Sequence, residues 1–515
     1  MRAGGLIGTT VSGRVPQTYN TSCMKWLTKS DYLKYLIHPA YLWMAKNDKE
    51  SLPEFDEVSQ ANVDQGNAVE EVARKLYPKA HLVDVPFFDG PDASLELMQP
   101  GGPEVIFQAS VLTDDKLYAR SDVVIRTDSG WDLYEVKGAT KVKPEHLADL
   151  AFQRLLFMRL GKSINRIFVI HINSAYVRDA EIDPAKLFTT TEVTGEVLAL
   201  EEATKVGVIE ARKIIEQKVC PDDGPELSRE WYYWRDTYRF LHPGIPADSI
   251  LNMTRLNLPQ IVELHKLGIK RLQDIPETFQ LGPQQLAQVE VARSGQPRVN
   301  KQKIADELAS LTYPLYFLDY ETFASAIPLW DGVRPYQQLP FQYSLHVIDK
   351  PGDPLIHREF LARGTSYPLS DLLAHLKGDL GPGGSVIVWN KSFEMGCNDG
   401  MAVLHPEYKE FLADVNDRVY DLMEIFSNGY YAHPDFFGSA SIKKVLPVLV
   451  PELSYKNLEI GEGMTSQIRW MKAARGEMST EEAAQLYKNL ITYCGQDTLA
   501  MVRIYEVLGK LPAAG

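Results

Sequence analysis

Apolar and polar positions along this chain repeat with two periods, and the way the periods alternate divides it into segments. Between residues 24 and 245, three runs read as strands: SDVVIRT, WDLYEVKG and INRIFVIHI. Ahead of them, LTKSDYLKYLIHPAYLWMA reads as a helix with Ser30 as its N-cap, and NAVEEVARKLY as a second helix. Between the last two strands, PEHLADLAFQRLLFMRLG is an amphipathic helix with Pro144 near its start and Gly161 just past its end. Residues 246–305 carry short helices and turns. From 306 to 515, YPLYFLDYETF, FQYSLHVID and SVIVWN read as strands, with several helices after them. The expected architecture is α/β and multidomain, with a mixed sheet in the last segment.

Composition sets bounds on this picture. The chain has 515 residues, 45% hydrophobic, 10% aromatic and 24% charged, enough for large cores in two to four domains. No apolar run reaches the roughly 18 residues of a membrane span, so no membrane partner is expected. Residues 1–23 are polar and Gly-rich, without the apolar stretch of a secretory signal, and are expected to be a disordered leader. Four scattered cysteines, at positions 23, 220, 397 and 494, exclude a disulfide scaffold and a CxxC metal site, and fit a cytoplasmic location. The formal net charge of −14 excludes a generic nucleic-acid coat protein. It is compatible with an enzyme whose carboxylates hold divalent cations.

Candidate chemistry concentrates in two places. In YFLDYETF, Asp319 and Glu321 are two residues apart on a strand and so share a face. Two carboxylates that close repel unless a cation sits between them or one is protonated. In the hairpin SDVVIRTDSGWDLYEVKG, a turn at residues 127–130 sets Arg126 opposite Trp131 and Val124 opposite Leu133. Asp122 then lies opposite Glu135, with Lys137 on the same face.

The D…ExK arrangement resembles the core of PD-(D/E)XK nucleases. The resemblance implies that Asp122 and Glu135 hold a divalent cation and that Lys137 orients the attacking water. QRLLF, with Gln153, resembles the QxxxY element of RecB-like members. Glu70 or Glu71 stands where their upstream helix supplies another acidic group. Farther along, D-x-E (Asp319, Glu321), N-x-x-F-acid (Asn390 to Glu394) and Y-x-x-x-D (Tyr493, Asp497) follow the order of DnaQ-like DEDD exonucleases, which have the RNase H-like fold. That resemblance implies a two-cation site of Asp319, Glu321, Glu394 and Asp497, with Tyr493 positioning water. Glu394 departs from the usual Asp. Thr492 stands where a DEDDh histidine would be, and Asp421 is expected to support the site from behind. Lys443 and Lys444 are expected either to contact phosphate or to form a solvated pair. HKLGIKRLQDIP resembles a helix-hairpin-helix unit, and a plain helical spacer is the other reading.

From Met24 onward the chain resembles a bacterial family that fuses a RecB-like nuclease domain (24–245) to a DnaQ-like 3′–5′ exonuclease domain (306–515). Residues 246–305 would be the connector. The carrying phrases include LTKSDYLKY, EVKG, LDYETF, NKSFE, GSASIKKVLP and YCGQDTLAM. Many such relatives hold a four-cysteine iron–sulfur cluster. Here His38 stands at the first position and only Cys220 remains of the later group, so no cluster is expected. Aromatic packing by Trp231, Tyr232, Tyr233 and Trp234 is the expected substitute. The implied function is hydrolysis of nucleic acid, DNA more than RNA, with Mg²⁺ or Mn²⁺ as cofactor. The alternatives are one live site beside a binding domain, or a non-catalytic adaptor for a protein partner in defence or repair.

Overall fold

The strand-patterned runs gather into two mixed sheets and one short ribbon. The computed structural model describes residues 26–221, 244–455 and 458–511. Its first sheet comprises β1 (Leu27–Thr28), β2 (His81–Leu82), β3 (Val105–Leu112), β4 (Leu117–Thr127), β5 (Gly130–Lys137), β6 (Ile164–Ile172) and β7 (Phe188–Glu192). The order is β2-β3-β4-β5-β6-β7, with β1 parallel to β4. Thr127 pairs with Gly130, Arg126 with Trp131 and Val124 with Leu133, so the turn sets the register its sequence implies. Because β5 and β6 are parallel, the chain must cross over between them, and the helix Pro144–Arg159 does so. Its Leu150, Phe152, Leu156 and Phe157 share a core with Ile106, Val124, Leu133 and Val169. Each such side chain contributes roughly 1.5–3 kcal/mol by leaving water.

The first helix departs from its expected start. Thr28, not Ser30, caps the helix Lys29–Ile37: the Thr28 hydroxyl accepts from the Asp31 N–H, and the Asp31 carboxylate accepts from the Thr28 N–H. This reciprocal box satisfies two backbone donors, which a cap at Ser30 would not. Pro39 then forces His38 into an extended conformation, and a second helix, Pro39–Asn47, begins there. The helix expected around NAVEEVARKLY starts earlier, as Glu57–Arg74 capped by Asp56.

The connecting segment holds the helices Leu258–Lys266, Pro283–Ser294 and Lys301–Ala309. After Gly268, in the left-handed conformation (φ +71°), only a 3-10 turn, Leu272–Asp274, forms before Pro276. The following α-helix waits until Pro283, so the helical-spacer reading describes this stretch better than a helix-hairpin-helix. A two-residue strand, β8 (Arg298–Val299), leads into the second sheet.

That sheet holds β9 (Leu315–Phe323), β10 (Leu339–Ile348), β11 (Ile356–Leu361), β12 (Ser385–Val388) and β13 (Val419–Asp421), in the order β11-β10-β9-β12-β13. β10 is antiparallel to β9 and β12 is parallel to it. β14 (Tyr431–Ala432) pairs with β8 and ties the connector to this half. The helix Thr480–Gly509 lies along β9 and β10, with Ala500, Met501 and Ile504 packed in one core with Leu315 and Phe317. The halves also share a core, where Ala326 joins Val69, Ile170 and Ile172. Arg178 Nη1 donates to the carbonyls of Pro328 (2.9 Å) and Leu329 (2.6 Å). Among the described residues no helix is long and apolar enough to cross a membrane.

Candidate functional site

β9 lies at the centre of its sheet, and strand alternation turns Asp319 and Glu321 to the same side. The helix Thr480–Gly509 brings Asp497 to that side, with Tyr493 one turn earlier. One carboxylate oxygen from each of Asp319, Glu321 and Asp497 lies within 4.8 Å of the other two. They line a cavity of about 230 Å³ together with Asn390, Glu394, Lys443 and Tyr493. Glu394 comes from the first turn of the helix Lys391–Leu404, directly after β12. Asp421 stands behind the start of that helix. Its Oδ2 accepts from the Lys391 N–H and its Oδ1 from the Met423 N–H, each at 3.0 Å.

Little positive charge faces these acids. Burial, then Asp497, Glu321 and Glu394, push the Asp319 carboxyl well above its usual range. Burial and Asp497 push Glu321 up to about 8, and burial raises Glu394 to about 8. Asp497 rises to about 6 through burial, against the opposing effects of the Tyr455 hydroxyl and Lys443. Tyr455 donates to Asp497 Oδ1 at 2.5 Å, and the Lys443 ammonium stands 5.5 Å from the Tyr493 ring centre. Glu394 Oε2 is buried without a hydrogen-bond partner. Four carboxylates facing one lysine, Asp319 half-buried and the others buried, one of them with an unpartnered oxygen, form a hard donor set of the kind that suits Mg²⁺ or Mn²⁺. Lys444, grouped with Lys443 in the sequence, is exposed and stands over the Phe437 ring, outside the cavity lining. Neighbours on a helix point about 100° apart, so the two lysines have different surroundings.

The first half assembles a second acidic group, already neutralised from within. Asp122 Oδ2 accepts from the Val136 N–H at 2.8 Å. Glu135 Oε1 accepts from Lys137 Nζ (2.8 Å) and from Lys29 Nζ (2.7 Å), and its Oε2 accepts from Gln153 Nε2 (2.7 Å). Lys137 also reaches Asp149 Oδ2 at 2.8 Å, and Gln153 reaches Asp149 Oδ1 at 2.8 Å. Ser121 Oγ donates to Gln153 Oε1 at 2.6 Å, which fixes the amide's orientation. Glu70 accepts from Arg74 Nη2 (2.6 Å) and Gln108 Nε2 (2.5 Å), while Glu71 is exposed. Burial alone would raise the Glu135 carboxyl, but Lys137 and Lys29 outweigh it and hold the group below its usual range. Asp122, pushed up by burial and by Glu135, rises to about 7. Glu135 Oε1 already has two ammonium partners, so a cation reaches that oxygen only where an ammonium gives way.

Three contributors escape the sequence motifs. Lys29 is the first residue of a helix far from the hairpin in sequence. Gln108 takes φ +56° inside β3, a costly conformation for a non-glycine, and this aims its amide at Glu70. Tyr455 reaches Asp497 from a loop. Cys220 is half-buried, whereas Cys23, Leu227 and the aromatic run Trp231–Trp234 lie outside the described residues.

Comparison with known proteins matches part of the chain to a family model and to relatives described as uncharacterized. Residues 316–441 match the family described as "Domain of unknown function (DUF2779)", a span that includes Asp319, Glu321 and Glu394. The uncharacterized protein UU173 of Ureaplasma parvum is 26% identical over 234 residues, 41% of this chain and 33% of that protein. The uncharacterized protein MG366 of Mycoplasma genitalium is 28% identical over 213 residues, 36% of this chain and 31% of its own length. The homologue of MG366 in Mycoplasma pneumoniae is 27% identical over 205 residues. The chain thus spans about a third of the length of the curated relatives it matches.

Proposed function

We propose that this protein is a cytoplasmic, divalent-metal-dependent nuclease that hydrolyses phosphodiester bonds, with DNA as the expected substrate. A DnaQ-like 3′–5′ exonuclease site would lie in its second half and a RecB-like PD-(D/E)XK site in its first. The observation that carries the reading is the convergence of Asp319, Glu321 and Asp497 oxygens within 4.8 Å, in a cavity also lined by Glu394, Tyr493 and Lys443. Bound Mg²⁺ or Mn²⁺ would supply charge stabilisation for the phosphoryl group under attack. The chain's own residues do the rest. The four carboxylates hold the cations, Tyr493 orients a water, and Lys443 faces the phosphate. In the first half, Gln153 and Lys137 fix the Glu135 carboxylate opposite Asp122.

A second reading, with catalysis only in the second half, is favoured by one observation: Lys29 and Lys137 already neutralise Glu135. In that reading the first half binds nucleic acid. The test is hydrolysis of 5′- and 3′-labelled single- and double-stranded DNA and RNA with Mg²⁺ or Mn²⁺. Asp319→Asn is expected to suppress release from 3′ ends by roughly 10²- to 10³-fold, the size of one lost electrostatic contact to a transition state. Lys137→Ala is expected to remove a distinct product pattern, and its failure to do so would favour the single-site reading. Wild-type protein that cleaves no substrate under any of these conditions would overturn the proposal.

A further inference from the structure

Two ammonium groups from different elements meet on one carboxylate oxygen in the first half. Lys137 Nζ stands 2.8 Å from Glu135 Oε1 and 2.8 Å from Asp149 Oδ2. Lys29 Nζ stands 2.7 Å from the same Glu135 oxygen and 3.7 Å from Asp149 Oδ1. Lys137 shares a strand with Glu135, but Lys29 arrives from 106 residues away. Its backbone position is fixed from outside the acidic group. Thr28 pairs with Tyr118 in the sheet, the Thr28–Asp31 box starts the helix, and Lys29 is that helix's first residue. Removing an ammonium from water costs several kcal/mol unless close negative charge replaces the solvent, so its place here depends on the carboxylates it faces.

The charge count then discriminates between the two lysines. Asp122, Glu135 and Asp149 bring three negative charges when ionised, Lys29 and Lys137 bring two positive ones, and the neighbouring Glu70 is cancelled by its own partner, Arg74. Adding a divalent cation to all five groups leaves the cluster net positive, with three cations crowded around Glu135. If one ammonium leaves, the cluster becomes neutral. Lys137 is gripped by two oxygens at 2.8 Å, whereas Lys29 has one close contact, so Lys29 is the group that yields.

We infer that Lys29 is a tethered counter-ion that holds the cation's place on Glu135 and is displaced when a divalent cation binds. It is a positioning residue that sets how tightly the first site takes metal. The inference rests on the reading of that site as metal-dependent. A purely structural ion pair, anchoring the helix to the sheet, would behave differently. Neutralising such a pair would loosen the site and leave metal affinity unchanged or weaker.

The test uses the full chain carrying Asp319→Asn and Asp497→Asn, so that the second cavity does not compete for metal. This chain is titrated with Mn²⁺ by calorimetry, alongside versions that add Lys29→Met, Lys29→Gln, Lys29→Arg or Asp122→Asn. Both neutral variants are expected to bind Mn²⁺ about tenfold more tightly or better, equivalent to about 1.4 kcal/mol. Lys29→Arg, which keeps the charge, is expected to bind no more tightly than the parent. Circular dichroism identifies folded variants, and either neutral variant alone is decisive against the Arg control. Unchanged or weaker binding in the neutral variants, with parent binding measurable and lost in Asp122→Asn, overturns the counter-ion role and leaves the metal reading standing. Tightening in Lys29→Arg also overturns the role. Mn²⁺ bound by none of these chains overturns both.

Discussion

Glu394 is 3% exposed, and its Oε2 has no hydrogen-bond partner. A buried carboxylate without a partner costs several kcal/mol if ionised, so the metal-free protein carries an unmet electrostatic demand at this residue. Glu394→Gln is expected to raise the melting temperature of the chelator-treated protein at pH 8 and to reduce the further rise that Mn²⁺ produces. Equal Mn²⁺ stabilisation of variant and wild type, read by differential scanning calorimetry, would remove Glu394 from the cation's surroundings. Residues of this kind were legible because their spacing is short: D-x-E on a strand and Y-x-x-x-D on a helix fix their own geometry. Lys29 and Tyr455 were not legible, because each reaches its partner from a distant segment. No local period records that Lys29 meets Glu135 or that Tyr455 meets Asp497.

At the scale of elements, the start of the first helix matters more than its length suggests. The Thr28–Asp31 box fixes where the helix begins and therefore where Lys29 points. Thr28→Ala is expected to cost about 1 kcal/mol of stability, the usual value of an N-cap, in a denaturant titration. It should also alter Mn²⁺ affinity in the first half in the same direction as neutralising Lys29. The hairpin register could be read from the chain, because one turn and strict alternation leave little freedom. β11 and the β8–β14 ribbon could not, because the latter is two residues long on each side and depends on a partner more than 130 positions away. The true N-cap was missed for a similar reason. Ser30 and Thr28 both suit the role, and only the Asp31 side chain's return bond to the Thr28 N–H decides between them.

Over the whole molecule, the acidic clusters make stability depend on pH. Glu321 and Glu394 are raised to about 8 and Asp497 to about 6, from usual values of 4.5 and 3.8. Between the usual and the raised values the folded state binds more protons than the unfolded chain, so stability falls as pH rises through that window. Asp122, raised to about 7, acts in the same direction. Glu135 is held low and works the other way, but only as pH falls below its usual 4.5, outside this window. The metal-free protein is therefore expected to melt at a higher temperature at pH 5 than at pH 8, with Mn²⁺ narrowing the difference. A flat profile between these values would mean that the carboxylates are solvated or otherwise paired. The two halves are joined through Ala326 and Arg178.

The central claim is that Asp319, Glu321 and Asp497 converge to hold divalent cations. The most direct measurement is anomalous diffraction from crystals of the full chain grown with Mn²⁺. The account predicts an anomalous peak in contact with oxygens of all three carboxylates. A well-ordered cavity with no anomalous density at saturating Mn²⁺ would contradict it.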